Sequence, residues 1–532
     1  MRLNFYIPMK RNFSTHQMTN RGIILSLILL FMAINSISIA SNITVSNPII
    51  SNQDATKKTA SIQFDLSWEN SFCFAEGTKN YDAAWVFVKY RLKNTGDATW
   101  KHAFINPTDF TVPAGCTAAP SSDGAGSFIY RSETAFTASK NTWKGIQLQW
   151  NYGKNGLPDN TLCDIHVYAI EMVYVPTGAF YLGTGADPIE ISSFTAANST
   201  SGPVTPLLIN SNKTPYLQGN NLKSNPNNLS ARSLWDLTLT SIDSVAKGFP
   251  NGYNAFYCMK YEVSQQEYIE FLNSLSYEQQ ANRTVNAPNS PAGTGALCIA
   301  NTNRNGICIS TPGVSNGNPA VYAYKGNKSV PSNSVPCNFL SWADLAAFLD
   351  WSGLRPLTEL EFEKACRGIA KPVPNEYAWG NTTLIQNTGV FVSSNKKAAA
   401  PNCTFGNNTA VQGPLRIIAS EAVPANRVNN GTTLYGIFDM SGNVYERPVT
   451  IANRAGRAFN GSHGDGNLSS TGDADATSWP KADAYGTGFR GGSWYSNAEY
   501  LRVSDRSSIY ASAYRLNTFG GRGARTAPID TK

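Results

Sequence analysis

The sequence predicts an α+β domain with few helices and long loops, preceded by an all-β region of immunoglobulin-like sandwich type. Three observations lead there. Apolar and polar residues alternate strictly in several stretches before residue 170, three helix starts are written in capping chemistry between residues 264 and 361, and the chain beyond 370 is Gly/Asn-rich and irregular. At 532 residues the chain exceeds what one ordinary core supports, so two or more domains are expected. A hydrophobic fraction of 42% argues for globular structure, and only 15% charged residues with 43 Gly and 28 Pro points to loop-rich domains with polar, uncharged surfaces.

Residues 1–40 read as a signal peptide. Arg2, Lys10, Arg11 and Arg21 form a positive region, an apolar stretch runs from Gly22 to Ile34, and Ser38-Ile39-Ala40 supplies the small residues that signal peptidase reads. An uncleaved anchor is the rival reading, weakened by Asn35, Ser36 and Ser38 inside the span. Cleavage makes the protein exported (secreted, periplasmic or on the cell surface) and leaves no membrane span. It also lowers the formal charge from +7 to +3, because the segment carries four basic residues and no acidic one. With no Lys/Arg run, that charge argues against a nucleic-acid partner.

Residues 41–170 form the expected β-sandwich domain. Ile62, Phe64, Leu66 and Trp68 alternate with Ser61, Gln63, Asp65 and Ser67, which sends one face inward. Trp85-Val86-Phe87-Val88 opens another strand, Ile146, Leu148 and Trp150 alternate again, and residues 162–175 make a long apolar strand. The aromatics of this region are expected in a core rather than on a ligand platform. Residues 185–250 show little period and read as an elaborate loop or an insertion at the start of the second domain, 171–532.

Ser264-Gln265-Gln266-Glu267 is a capping box, followed by Tyr268, Phe271, Leu272 and Leu275 on one helical face. Ser341 opens a second helix with Trp342, Leu345, Phe348 and Leu349 inward. Thr358-Glu359-Leu360-Glu361 is a further box leading into Phe362, Ala365 and Cys366. Nine cysteines in an exported chain permit disulfides, and Cys298–Cys308 is the expected local bridge. No C-x-x-C occurs, and His102, His166 and His463 are too few for a multi-histidine metal site.

These segments carry a family resemblance. Met172 to Gly183, Tyr261 to Leu272, Ser341-Trp342-Ala343-Asp344 with Leu354 to Glu363, Trp379-Gly380, Tyr435 to Glu446 and Gly488 to Trp494 follow one another as in the sulfatase-modifying-factor (formylglycine-generating enzyme) family. The ordered set spans roughly residues 171–526 and resembles that family's domain, which implies a variant of the C-type lectin fold. The resemblance also implies a copper(I) site built on two cysteines after the Gly-Gly-Ser-aromatic motif. Here Ser496 and Leu501 stand at those positions, so copper and formylglycine-generating activity are not expected.

Asn443, Val444 and Glu446 resemble the family's calcium loop and are candidate Ca²⁺ ligands; the other reading has them satisfying loop amides. Arg447-Pro448 replaces the family's usual Trp after Glu446, and Tyr445 stands where Trp is common. Ser462, His463 and Asp465 are close in sequence but read as a surface turn, not a triad. Arg490, Arg502, Arg506, Arg515 and Arg522, with Glu499 and Asp505, read as buried ion pairs, with a pocket for an anionic or sugar ligand as the alternative. Two functions follow. One is a recognition or assembly module with a protein or carbohydrate ligand; the other is an oxidoreductase-like enzyme of the same superfamily with an unidentified site.

Overall fold

Alternation at residues 61–68 does what its period requires. In the computed structural model, which describes residues 43–74, 77, 79–94, 99–184, 193–197, 204–213, 215–218, 225–230, 242–315, 317–326, 335–387, 402–406, 412–415 and 427–528, the strand Thr59–Cys73 turns Ile62, Phe64, Leu66 and Trp68 into an apolar core. Ser61, Gln63, Asp65 and Ser67 stay half-exposed on its other face. The proposed signal segment, 1–40, lies outside the described residues.

The strands that carry the architecture are β1 (Thr44–Asp54), β2 (Thr59–Cys73), β3 (Asp82–Leu92), β4 (Ile105–Thr111), β5 (Cys116–Pro120), β6 (Ser127–Arg131), β7 (Ala135–Trp150), β8 (Cys163–Val175), β9 (Phe256–Met259), β10 (Arg355–Pro356) and β11 (Gly523–Thr526). A four-stranded sheet has the order β1-β2-β7-β4. A larger sheet runs β10-β11-β9-β8-β3-β6-β5, with a short Lys101–His102 strand also paired to β3. The expected junction between residues 170 and 171 falls inside β8. There Met172 pairs with Ala83 of β3 on one side and Met259 of β9 on the other.

The architecture is therefore α+β with a β-rich N-terminal region, and β3 explains how the parts join. Its Ala84, Val86, Val88 and Tyr90 pack in the core shared with β2 and β7, while Ala83, Trp85 and Phe87 enter the core that holds the helices. A stretch buried on both faces reads as a continuous apolar run, which is why Trp85-Val86-Phe87-Val88 shows no alternation. Helix α1 (Gln265–Asn273), α2 (Tyr277–Arg283), α3 (Trp342–Trp351) and α4 (Glu359–Arg367) all begin with reciprocal capping boxes. The box at Ser276/Gln279 that starts α2 uses the same chemistry as the other three, and the sequence reading missed it.

The C-terminal carbonyls of α3 are capped from the sheet. Lys89 Nζ donates to Trp351 O at 2.7 Å and Trp85 Nε1 donates to Ser352 O at 2.8 Å. Burial pushes the Lys89 ammonium down to about 7, against the opposing pull of Asp350 and Asp465. Residues 185–250, expected as loop, contain strands of two to six residues. Leu207–Ile209 pairs with Phe180–Leu182, and Ala196–Ala197, Asn225–Ser230, Tyr216–Gln218 and Ile242–Ser244 make a small sheet. Strands of two or three residues are below the length at which a period can be read.

All nine cysteines are described and all are free thiols, so the expected Cys298–Cys308 bridge is not formed. Cys298 Sγ instead points at Ile299 O, 3.2 Å away, while Cys308 is buried in the Ile307–Thr311 strand. Among the described residues no helix is long and apolar enough to cross a membrane.

A second tie is ionic. Lys260, just after β9, lies fully buried with its Nζ 2.8 Å from Asp82 of β3 and 3.2 Å from Glu171 of β8. Burial disfavours its charge, but the two carboxylates prevail and hold the ammonium above the ordinary lysine range. Asp82 also accepts from Trp68 Nε1, Ser71 Oγ and the Phe72 amide. Lys260→Met would leave two carboxylates buried without their cation. It is expected to lower unfolding free energy by about 3–5 kcal/mol in urea titrations, more than any exposed lysine substitution.

Candidate functional site

The Gly491-Gly492-Ser493-Trp494 turn is shaped by glycine. Gly491 and Gly492 have φ of +79° and +69°, and a Cβ on Gly492 would lie 2.5 Å from Leu501 Cδ2. Backbone bonds fasten this turn to the Gly442-Asn443 loop: Gly442 N donates to Gly491 O at 2.7 Å and Trp494 N donates to Asn443 O at 2.7 Å.

The turn positions Ser496 and Leu501 in unlike surroundings. Ser496 Oγ accepts from the Ser493 amide at 3.0 Å and donates to Tyr445 Oη at 3.1 Å. Burial pushes the Tyr445 phenol above its ordinary range, so it remains a neutral hydrogen-bonding group. Leu501 is fully buried in the apolar cluster that includes Phe362, Phe438 and Met440. Cys403 belongs to the same cluster; its Sγ donates to Ser441 O at 3.1 Å, and burial pushes its thiol well up. A hydroxyl, an aliphatic side chain and one neutral buried thiol do not fit copper(I), which requires thiolate donors that converge. Around Ser496 the surface is aromatic. Tyr495 is 54% and Tyr510 53% exposed, resting at 5.4 Å on Trp494 and Phe489 respectively.

Asn443, Val444 and Glu446 come together, but around protein partners. Asn443 Oδ1 accepts from Leu415 N at 2.8 Å, and its amide donates to Glu262 at 2.7 Å. The Val444 amide donates to the other Glu262 oxygen at 3.0 Å. Glu446 Oε1 accepts from Arg522 Nε. Of the Asn443 and Glu446 side-chain oxygens, only Glu446 Oε2 lacks a donor among the described residues. Calcium takes six to eight converging oxygens, so as arranged these residues do not fit it. The guanidinium of Arg522, fully buried, supplies the positive charge instead. Glu262 was missed by the sequence reading; burial and neighbouring Asp439 push its carboxyl well above the ordinary range.

Arg447 has an aromatic role without being aromatic. Its guanidinium lies 4.8 Å from the Phe489 ring centroid and 5.3 Å from that of Phe519. Burial brings it down to about 9. The Ser-His-Asp run forms no triad. Ser462 Oγ pairs with Ser478 Oγ, His463 Nε2 accepts from the Thr526 amide, and Asp465 lies with Asp350 and Asp475.

Arg490, Arg506, Arg515 and Arg522 form ion pairs as expected, with carboxylates other than Glu499 and Asp505. Arg490 reaches Glu359 at 3.2 Å and Glu363 at 2.8 Å, and Arg506 reaches Glu359 at 2.9 Å, with all four side chains fully buried. Arg506 also lies 3.8 Å from the Phe194 ring centroid. Burial opposes the charge on Glu359, but Arg506 and Arg490 hold its carboxyl below the ordinary range. Arg515 grips Asp344 with two bonds of 2.6 and 2.8 Å. Asp505 accepts from Ser507, while Glu499 accepts from Asn497. Of the glutamate partners on α4, Glu359 lies within the Thr358 capping box and Glu363 just beyond it, and neither position marks its partner in the sequence.

Glycine turn, acidic loop and arginine-bound helix fall in the segments that resemble the sulfatase-modifying-factor family. Residues 250–527 match the family model described as sulfatase-modifying factor enzyme 1-like domain, and the chain belongs to that family. The Met172–Gly183 segment lies upstream of the match. No curated protein matches the chain. Arg506→Ala is expected to cost about 3–5 kcal/mol, because Glu359 loses one of its two cations in a dry site. A lowered denaturation midpoint, with loss of cooperativity in near-UV circular dichroism, is the readout.

Proposed function

We propose that this sulfatase-modifying-factor-like protein is exported, is no formylglycine-generating oxidase, and uses its scaffold for recognition or assembly. The scaffold is read as a C-type-lectin variant behind an immunoglobulin-like β-sandwich. One observation carries the reading. Where the family chemistry calls for two thiolates, Leu501 is part of the hydrophobic core and Ser496 is bound to Ser493 and Tyr445. Tyr495 and Tyr510 beside it support recognition, since exposed tyrosines offer large contact area at little entropic cost.

The test is direct. Purified chain, supplied with copper(I), oxygen and a peptide carrying the sulfatase cysteine motif, is expected to leave the peptide mass unchanged. Conversion of the cysteine to formylglycine would overturn the proposal.

The loop at Asn443, Val444 and Glu446 is read in the same way, as a clamp closed by Arg522 instead of calcium. EDTA is therefore expected to leave the thermal midpoint where it is, whereas Arg522→Met lowers it strongly. A midpoint that falls on chelation and returns with Ca²⁺ would reverse that reading.

A further inference from the structure

A cavity of about 590 Å³ opens between Asn212, Lys213 and Tyr216, the Lys247–Ala255 segment and the ends of β10 and β11. It shares no residue with the Ser496–Tyr445 site, so the two readings stand or fall separately. Its size lies in the range of small-ligand sites, about 300–1,000 Å³.

The floor is charged but satisfied. Arg355 donates to both Glu361 oxygens at 2.8 and 2.6 Å, to Pro356 O at 3.0 Å and to Thr526 Oγ1 at 3.3 Å, so neither buried charge is left for a ligand. The wall is pre-formed. Asn251 Nδ2 donates to Ser211 O and Lys213 O, while its Oδ1 accepts from the Tyr253 amide, which pins the 211–213 turn against the 251–253 segment. Gly252, at φ +86°, lets the same segment pack on Phe180, since a Cβ there would come within 2.9 Å of its ring.

The rim sets the chemistry. Lys213 and Lys247 are exposed lining residues with no ion pair among the described residues, so the net charge facing the cavity is positive. An ammonium is a point charge with three rotatable donors, suited to a carboxylate. Tyr216 presents a ring that is 56% exposed at the same rim. Exposed Asn212 and Asn254 add amides that both donate and accept, as vicinal hydroxyls require. Amides that pair with hydroxyls, one open aromatic face and a cationic edge together describe a sugar acid.

We propose that this cavity binds a uronic-acid-bearing oligosaccharide, with the lysines on the carboxylate and the Tyr216 ring against a pyranose face. Isothermal titration of the mature full chain is the test. An oligogalacturonate is expected to bind, and its neutral galactose counterpart to bind at least roughly tenfold more weakly. Lys213→Ala/Lys247→Ala and, separately, Tyr216→Ala are each expected to weaken oligogalacturonate roughly tenfold while thermal midpoints stay unchanged, because these side chains are exposed. No oligogalacturonate binding, equal binding of the neutral sugar, or unchanged affinity in both variants would each overturn the proposal. So would equal or tighter binding of inorganic phosphate or an oligoglutamate peptide at the same lysines, which would make the site a general anion or acidic-peptide site.

Discussion

The loops of the C-terminal half are held by buried guanidinium–carboxylate pairs, and most of the structure depends on that constraint. Between residues 427 and 522 the described chain has only one-turn helices and isolated bridges, so backbone pairing alone cannot fix it. Arg490 and Arg506 bring those loops onto α4 through Glu359 and Glu363. Each ion costs several kcal/mol to desolvate, and partial pairing would be worse than none. Arg490 therefore collects two glutamates, the Val503 carbonyl and the face of Phe362. The loops are ordered together because no single pair can be lost without stranding a charge.

Helix α4 can serve so many partners because of its period. Glu359 and Glu363 are four residues apart and share one face, so one arginine bridges both. Glu361 points elsewhere; it closes the Thr358 capping box and binds Arg355 at the floor of the cavity beside Asn251. One turn of helix thus ties the loops, its own N-terminus and the sheet edge at β10. On the other side, Lys89 and Trp85 cap α3, and Lys260 joins β3 to β8. The N-terminal sheets are consequently fastened to the helices by hydrogen bonds as well as by apolar contact.

Local chemistry was legible in the sequence, and partnership was not. Ser264, Ser341 and Thr358 announce their helices because a capping box is complete within four residues. Ile62 to Trp68 reveal a half-buried strand for the same reason. Trp85 to Val88 show that a strand is buried but not that a helix covers its second face, since that helix lies more than 250 residues away. The arginines were readable as ion-pairing residues, yet nothing local says that Glu359 takes two of them. Glu262 is another such case: its two oxygens organise Asn443 and Val444 from 181 and 182 residues away. The Cys298–Cys308 expectation erred because short spacing brings cysteines near without aiming their side chains at each other.

These interactions also explain how the scaffold keeps its shape without the family's cysteine pair. Ser496 precedes and Leu501 ends a short 3₁₀ turn, which leaves Ser496 among polar neighbours and places Leu501 in the core. Burying a leucine there stabilises the fold by about 1.5–3 kcal/mol, a gain that a metal-binding thiolate could not supply to an apolar cluster. Ser496 keeps its loop in place through Ser493 and Tyr445, so neither position needs a metal for order. The arginine pairs, the glycine turn and the capping boxes all lie outside those two positions. Most of the order in these loops is therefore carried by residues other than Ser496 and Leu501. At the surface of these loops stand the rings of Tyr495 and Tyr510, each more than half exposed and each resting on an aromatic ring beneath it.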